Sequence, residues 1–336
     1  MRTVFFKRSP SIYGGPATFM KAFEKYARKS KNFKYEEILE TSKKPSAGDV
    51  IFGLNLQFDI PFLRAVKSAG VKYIHRANGV YRHGKMRDDW KNINNRLKKI
   101  VEFSDAVIFQ SGCSKRQYMD FLGAQPKKYN IILNGIDLET VPVCKNVEKE
   151  NRIVSIMNIA EFKDFKDGVE AWWSFRDELD AEYLIIGKQS GECSSSKSWT
   201  MDDLEEIKAS RPGLRIVEEM NRENLFNLLK SSLFYFDPRP LAACPNATLE
   251  ALAAGLPVAS IKNSGSDELA GNAGCACYNP LNSLRRVKER FLWEGNGDIS
   301  GCSINRLFSP VDERVNYLAY EKCFAKYEEV FSCALE

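Results

Sequence analysis

Residues 244–257 read Cys-Pro-Asn-Ala-Thr-Leu-Glu-Ala-Leu-Ala-Ala-Gly-Leu-Pro, and Asp267-Glu268-Leu269 follows ten residues later. The stretch is a short loop, a helix start, one acidic residue in the opening turns and a Gly255-Leu256-Pro257 exit into the apolar run 258–261. At such a start the backbone N–H groups of Asn246, Ala247 and Thr248 lack intrahelical partners, and the helix dipole favours an anion there. Glu250 falls one turn further on, placed to accept hydrogen bonds from a ligand's hydroxyls. Together these features describe a pocket for a phosphorylated, hydroxyl-bearing ligand such as a nucleoside-diphosphate sugar. An ordinary amphipathic helix with a dipole-favoured acid near its start has the same pattern.

Outward from this stretch, short apolar runs alternate with helical patterns, the signature of strand–helix units stacked in parallel sheets. The first half predicts strands near 2–7, 34–39, 49–54, 71–75, 106–110 and 130–133. The second predicts strands near 152–157, 182–187, 214–217, 233–236, 257–261 and 275–278, with a last amphipathic helix over about 311–332. The polar stretch 143–151 reads as the linker between them. The expected architecture is α/β, with Rossmann-like domains over 1–145 and 146–311 and a helical segment over 312–336. At 336 residues, with 44% apolar and 28% charged side chains, each half is large enough for its own core.

Composition removes several classes. No apolar run approaches the roughly eighteen residues of a membrane span. Met1 leads almost directly into Val4-Phe5-Phe6, so no secretory signal is expected and the cytoplasm is the expected setting. Nine cysteines without a C-x-x-C pair point to reduced thiols rather than a zinc site or disulfide framework. Charge is uneven: residues 1–145 hold 27 Lys and Arg against 13 Asp and Glu, a net +14, while the remainder carries −9. A basic first lobe attracts an anionic membrane leaflet or a diphosphate-linked lipid, or simply solubilises the surface. No RNA-binding or helix-turn-helix signature is present, so nucleic acid is not an expected partner.

The residue order in 242–268 resembles the donor-binding motif of the family-four glycosyltransferases, enzymes of the two-domain GT-B fold. That motif reads Glu, seven residues, Glu, then Ala-x-Ala-x-Gly-x-Pro-Val, with a Gly-Gly-x-x-Glu turn after the next strand. Glu250 matches the second Glu, Leu252 to Val258 the exit, and Ser264-Gly265-Ser266-Asp267-Glu268 the turn. The first Glu, which in the family contacts the transferred sugar, falls on Ala242. GT-B enzymes bring two such domains to one cleft, with the last helices returning to the first domain.

Other segments carry the resemblance in order. Tyr13-Gly14-Gly15-Pro16 after the first strand is similar to the glycine loop that covers the donor diphosphate, although a plain turn has the same composition. It is not G-x-G-x-x-G, so a dinucleotide site is not expected. His75-Arg76-Ala77-Asn78 follows the fourth strand, where the family has a histidine that contacts the sugar; His75 and Asn78 are both candidates for that role. Asp105 to Ser114 and Asn134-Gly135-Ile136-Asp137 match two further family segments.

After the strand at 152–157 the family has an Arg and a Lys that hold the leaving diphosphate. Lys163 or Lys166 stands for the Lys, the Arg position falls on Asn158 or Glu161, and Arg239 is a possible substitute.

The resemblance implies transfer from a nucleoside-diphosphate sugar to a glycan or lipid-linked acceptor with retention of configuration. His75, Lys166 and Glu250 are the expected catalytic groups. Gly14, Gly15, Asn78, Lys163, Arg239, Asn246, Ala247, Thr248 and Glu250 are the expected donor-binding groups. No D-x-D pair occurs, so neither a metal nor another cofactor is expected. A nucleotide-sugar epimerase of the same fold, or a descendant that binds without transferring, are the rival readings.

Overall fold

The computed structural model of the chain describes residues 2–8, 15–38, 44–81, 89–142, 148–157, 159, 162–187, 200–218, 220–271, 274–278 and 318–335. Among these, twelve strands form two six-stranded sheets, and every recorded strand pair is parallel.

The first sheet takes β1 (Thr3–Phe6), β2 (Lys34–Glu37), β3 (Val50–Leu54), β4 (Lys72–Ala77), β5 (Ala106–Phe109) and β6 (Tyr129–Ile131) in the order β2-β1-β3-β4-β5-β6. Strands β1, β3 and β5 are buried over their whole length and β4 beyond its first residue, as expected when helices cover both faces. The helices are α1 (Gly15–Ala27), α2 (Ile60–Ser68), α3 (Trp90–Phe103) and the short α4 (Gly112–Arg116). Asp59 and Ser111 cap α2 and α4 by accepting the backbone N–H three residues on.

The second sheet takes β7 (Arg152–Ile156), β8 (Glu182–Ile186), β9 (Leu214–Val217), β10 (Phe234–Asp237), β11 (Val258–Ile261) and β12 (Gly274–Tyr278) in the order β12-β11-β10-β7-β8-β9. Around it lie α5 (Phe162–Leu179), α6 (Met201–Ser210), α7 (Arg222–Ser231), α8 (Asn246–Ala253) and α9 (Gly265–Ala270). Thr200 and Asp203 form a reciprocal capping box on α6. Asn221 and Ser264 cap α7 and α9. At α8 the cap position holds Pro245, and no side chain closes the helix start.

The last described helix, α10 (Tyr320–Leu335), does not pack on the second sheet. Tyr320, Cys323, Phe324, Tyr327, Val330 and Phe331 enter the core of the first, against Phe19, Phe23 and Phe52. Phe23 stacks on Phe52 at a centroid distance of 4.9 Å, and Phe52 meets Phe331 edge-on at 5.4 Å. Exchanged backbone bonds between Ile136 and Leu318–Tyr320, each 2.9 Å, lead the chain into this helix. The helix begins later than the expected 311, and residues 311–317 lie outside the described residues. No described helix is long and apolar enough to cross a membrane.

Candidate functional site

A cleft of about 390 Å³ opens between α1, the turn that follows β6, α7, α8 and the start of α10. That volume falls in the usual range of small-molecule sites, roughly 300–1,000 Å³. Thr18, Phe19, Lys21 and Lys25 line it from α1, and residues 134–137 from the Asn-Gly-Ile-Asp turn. Arg222 comes from the first turn of α7, and Asn246, Leu249 and Glu250 from α8. The two sheets therefore contribute opposite walls, with the uncapped N-terminus of α8 at one of them.

Glu250 lies where the sequence places it, partly buried on the cleft wall. Burial raises its carboxyl above the ordinary value, and the charge of Arg222 opposes that rise. Asn246 is held by Asn134, whose amide nitrogen donates to Asn246 Oδ1 at 3.3 Å and to the Cys244 carbonyl at 2.9 Å. Ala247 is partly exposed. Thr248 is fully buried and bonded through Oγ1 to Ser266 Oγ at 2.9 Å, so only its backbone belongs to the helix start.

Gly15 opens α1 with unoccupied space where a Cβ would stand, while Gly14 lies outside the described residues. The side chain of Lys163 and residues Asn158 and Glu161 lie outside them too.

Four expected residues are not among the groups that line the cleft. His75 does not follow β4 but sits within it, because the strand runs two residues further than expected, to Ala77. There it is opposite Gly53 and Val107, fully buried, with Nδ1 at 3.0 Å from the Tyr73 hydroxyl. Burial first, then the charge of Arg76, hold the imidazole neutral with a pKa lowered to about 3.

Asn78 spends its carbonyl oxygen on two internal donors, Arg76 Nη1 at 2.6 Å and Gln110 Nε2. Lys166 is exposed on α5 and is not among the cleft groups. It stands near Asp203, whose carboxyl is held down first by the Thr200 backbone and hydroxyl and lastly by this lysine. Arg239 grips Asp237 with two bonds, Nε to Oδ1 at 2.7 Å and Nη2 to Oδ2 at 2.9 Å, so its charge is already matched.

Sequence reading did not assign the cleft roles of Thr18, Lys25, Asn134, Asp137 and Arg222. Asn134 and Asp137 stand in a turn motif that was legible, and Thr18 follows the glycine loop. Arg222 has only a helix start to mark it. Lys25 pairs with Asp137 at 2.5 Å and Glu139 at 2.8 Å, tying α1 to that turn. Cys244 accepts the Asn134 N–H at 3.2 Å beneath the cleft, and burial pushes its thiol up to about 12, the state of a packing group rather than a nucleophile.

No family model matches the chain. It is 25% identical over 260 residues to the amylovoran biosynthesis glycosyltransferase AmsK of Erwinia amylovora, a match covering 73% of this chain and 61% of the relative. The chain thus spans less than two thirds of that protein. Among solved structures, HepE of Anabaena in complex with UDP superposes with a TM-score of 0.66 at 12% identity, covering 99% of this chain and 100% of the other. Sucrose-phosphate synthase of Thermosynechococcus elongatus also gives 0.66, at 13% identity, covering 99% and 98%. A glycosyltransferase from Rickettsia africae gives 0.61 at 14%, covering 100% and 99%. The architecture is that of the GT-B glycosyltransferases.

Proposed function

We propose that this chain is a glycosyltransferase that binds a nucleoside-diphosphate sugar in the cleft between α1 and α8 and passes the sugar to a glycan or lipid-linked acceptor with retention of configuration. The observation that carries the reading is the convergence of the uncapped α8 start, Glu250 and the Thr18–Lys25 side of α1 on one cleft. It is supported by the likeness to AmsK and by the fold shared with a protein that binds UDP.

In this reading the backbone N–H groups of residues 246–248 stabilise the departing diphosphate as preorganised donors. Glu250 accepts from the ribose hydroxyls, and Asn134 fixes Asn246 at the helix start. The acceptor hydroxyl attacks from the leaving-group side, and its proton passes to a phosphate oxygen. No cofactor or metal enters this scheme. The basic first lobe draws in an anionic acceptor or membrane leaflet.

The testing experiment screens nucleotide sugars by thermal shift, then follows diphosphate release with varied glycan acceptors. A ligand specific to the folded protein raises its melting temperature. Donor binding with release that depends on acceptor supports the reading.

One observation favours a second reading, a GT-B protein that binds without transferring. Of the charges expected on the leaving diphosphate, Lys166 is away from the cleft and Arg239 is matched by Asp237. Tight binding with no diphosphate release from any donor would decide for it.

A further inference from the structure

Behind the cleft floor lies a buried cation whose partners are all neutral. Arg76 is 1% exposed. Its Nε donates to the Tyr327 hydroxyl at 3.0 Å, Nη1 to Asn78 Oδ1 at 2.6 Å and Nη2 to Asn134 Oδ1. The guanidinium carbon lies 3.8 Å from the centre of the Phe19 ring. Among the described residues no carboxylate pairs with it.

Two acids of this region are committed elsewhere. Glu268, which shares Cys244 as a neighbour with Arg76, accepts the backbone N–H groups of Gly112 and Cys113. Asp137 is paired with Lys25. A guanidinium keeps its charge in a protein, and a buried charge without a counter-ion is costly. Dipoles from two amides, a hydroxyl and a ring solvate Arg76 but leave its net charge in place.

Two of its partners, Phe19 and Asn134, are themselves walls of the cleft. The uncompensated charge therefore lies one side chain behind the space where the α8 start points. The amide of Asn134 is oriented by it, with oxygen toward Arg76 and nitrogen toward Cys244 and Asn246.

We infer that Arg76 adds to the positive field for the diphosphate of the bound ligand from beneath the floor, through Asn134, behind the basic side chains of Lys21, Lys25 and Arg222 on the cleft wall. The inference rests on the reading of this cleft as a nucleoside-diphosphate site. Arg76 is a positioning and electrostatic residue, shielded from the ligand by Phe19 and Asn134.

Asn78→Asp is the informative variant. It puts a carboxylate oxygen where Oδ1 now accepts from Arg76 at 2.6 Å, pairing the charge without changing shape. The Asn78 amide nitrogen makes no hydrogen bond among the described residues, so no donor is lost. Affinities for pyrophosphate, UDP and uridine are measured by calorimetry on the full chain and on this variant. Pyrophosphate and UDP affinities are expected to fall on the order of tenfold, as for a unit charge matched at a distance of several ångströms in partly screened surroundings. Uridine affinity stays the same, a pattern that loss of structure would not give. The variant's melting temperature rises, because a buried charge gains its partner.

Equal pyrophosphate and UDP affinities in parent and variant would overturn the inference. Pyrophosphate binding that weakens in the variant, with no preference for a nucleotide over pyrophosphate in the parent, would leave Arg76 in its role and refute the nucleotide-sugar reading. A parent that binds neither anion would refute both.

Discussion

The carboxylate of Glu268 accepts the backbone N–H of Cys113 at 2.6 Å, joining α9 of the second domain to the start of α4 in the first. The other carboxylate oxygen takes Gly112 N–H at 2.6 Å, and Arg116 Nη2 stands 3.6 Å from the oxygen that takes Cys113. A side chain of one domain thus closes a helix end of the other. Glu268→Ala leaves two amides without this acceptor, and the expected loss is about 1–3 kcal/mol in urea unfolding. Glu268→Gln retains one acceptor oxygen and should lose less. Equal stability of parent and alanine variant would show that water replaces the carboxylate at no cost.

At Glu250 the proposed donor contact and stability make opposite demands. Glu250→Gln removes the charge that would accept ribose hydroxyls, and UDP affinity should fall by roughly 1.5–3 kcal/mol. The unliganded variant should nevertheless melt higher near neutral pH. Burial raises the folded carboxyl above its unfolded value, so its contribution to stability is full at low pH and is lost as pH rises through the folded value. The melting advantage of the variant should therefore be absent in acid and grow toward neutrality. A pH-independent difference would assign it to packing.

Gly135 tests the passage between the domains. A Cβ there would stand 2.7 Å from Tyr320 Cα and 3.0 Å from Cys323 Sγ, both in α10. Gly135→Ala must push that helix away from the cleft turn, an overpacking cost of about 1–3 kcal/mol. Faster proteolytic release of the C-terminal helix is the expected readout.

Ala242 separates recognition of the nucleotide from recognition of the sugar. Its carbonyl accepts Gly265 N–H at 2.7 Å, while its side chain is partly exposed. Ala242→Glu restores the acid that the resemblance places against the transferred sugar. UDP affinity should stay within about twofold, while affinity for a hydroxyl-rich nucleotide sugar should strengthen by about tenfold, the scale of one charge-assisted hydrogen bond. Parallel changes in both affinities would place position 242 near the nucleotide instead.

The parallel sheets were legible because strands covered on both faces must be short apolar runs, and each expected run became a strand. The α8 start was legible for a similar reason, since Asn-Ala-Thr after a proline marks a helix end by itself. Side-chain roles around β4 were not. Placing the strand end at 75 put His75 at the edge of a loop, whereas two further strand residues set it in the core. Alternation along the extended strand puts Arg76 on the opposite face, under α1 and α10. There its guanidinium donates to Tyr327, 251 residues away in sequence. Local pattern carries no information about such a contact. The pairing of Arg239 with Asp237, two residues earlier, was likewise not read from the sequence.

The aromatic helix α10 imposes an order on biosynthesis. Residues of the first sheet leave the ribosome before the second domain exists, yet Phe19, Phe23 and Phe52 find part of their packing only in Tyr327, Phe324 and Phe331. The domain made first therefore waits with an unsealed apolar seam while the domain made second is translated, folds and emits the strap that closes it. During that interval the nascent chain presents the kind of surface that chaperones hold.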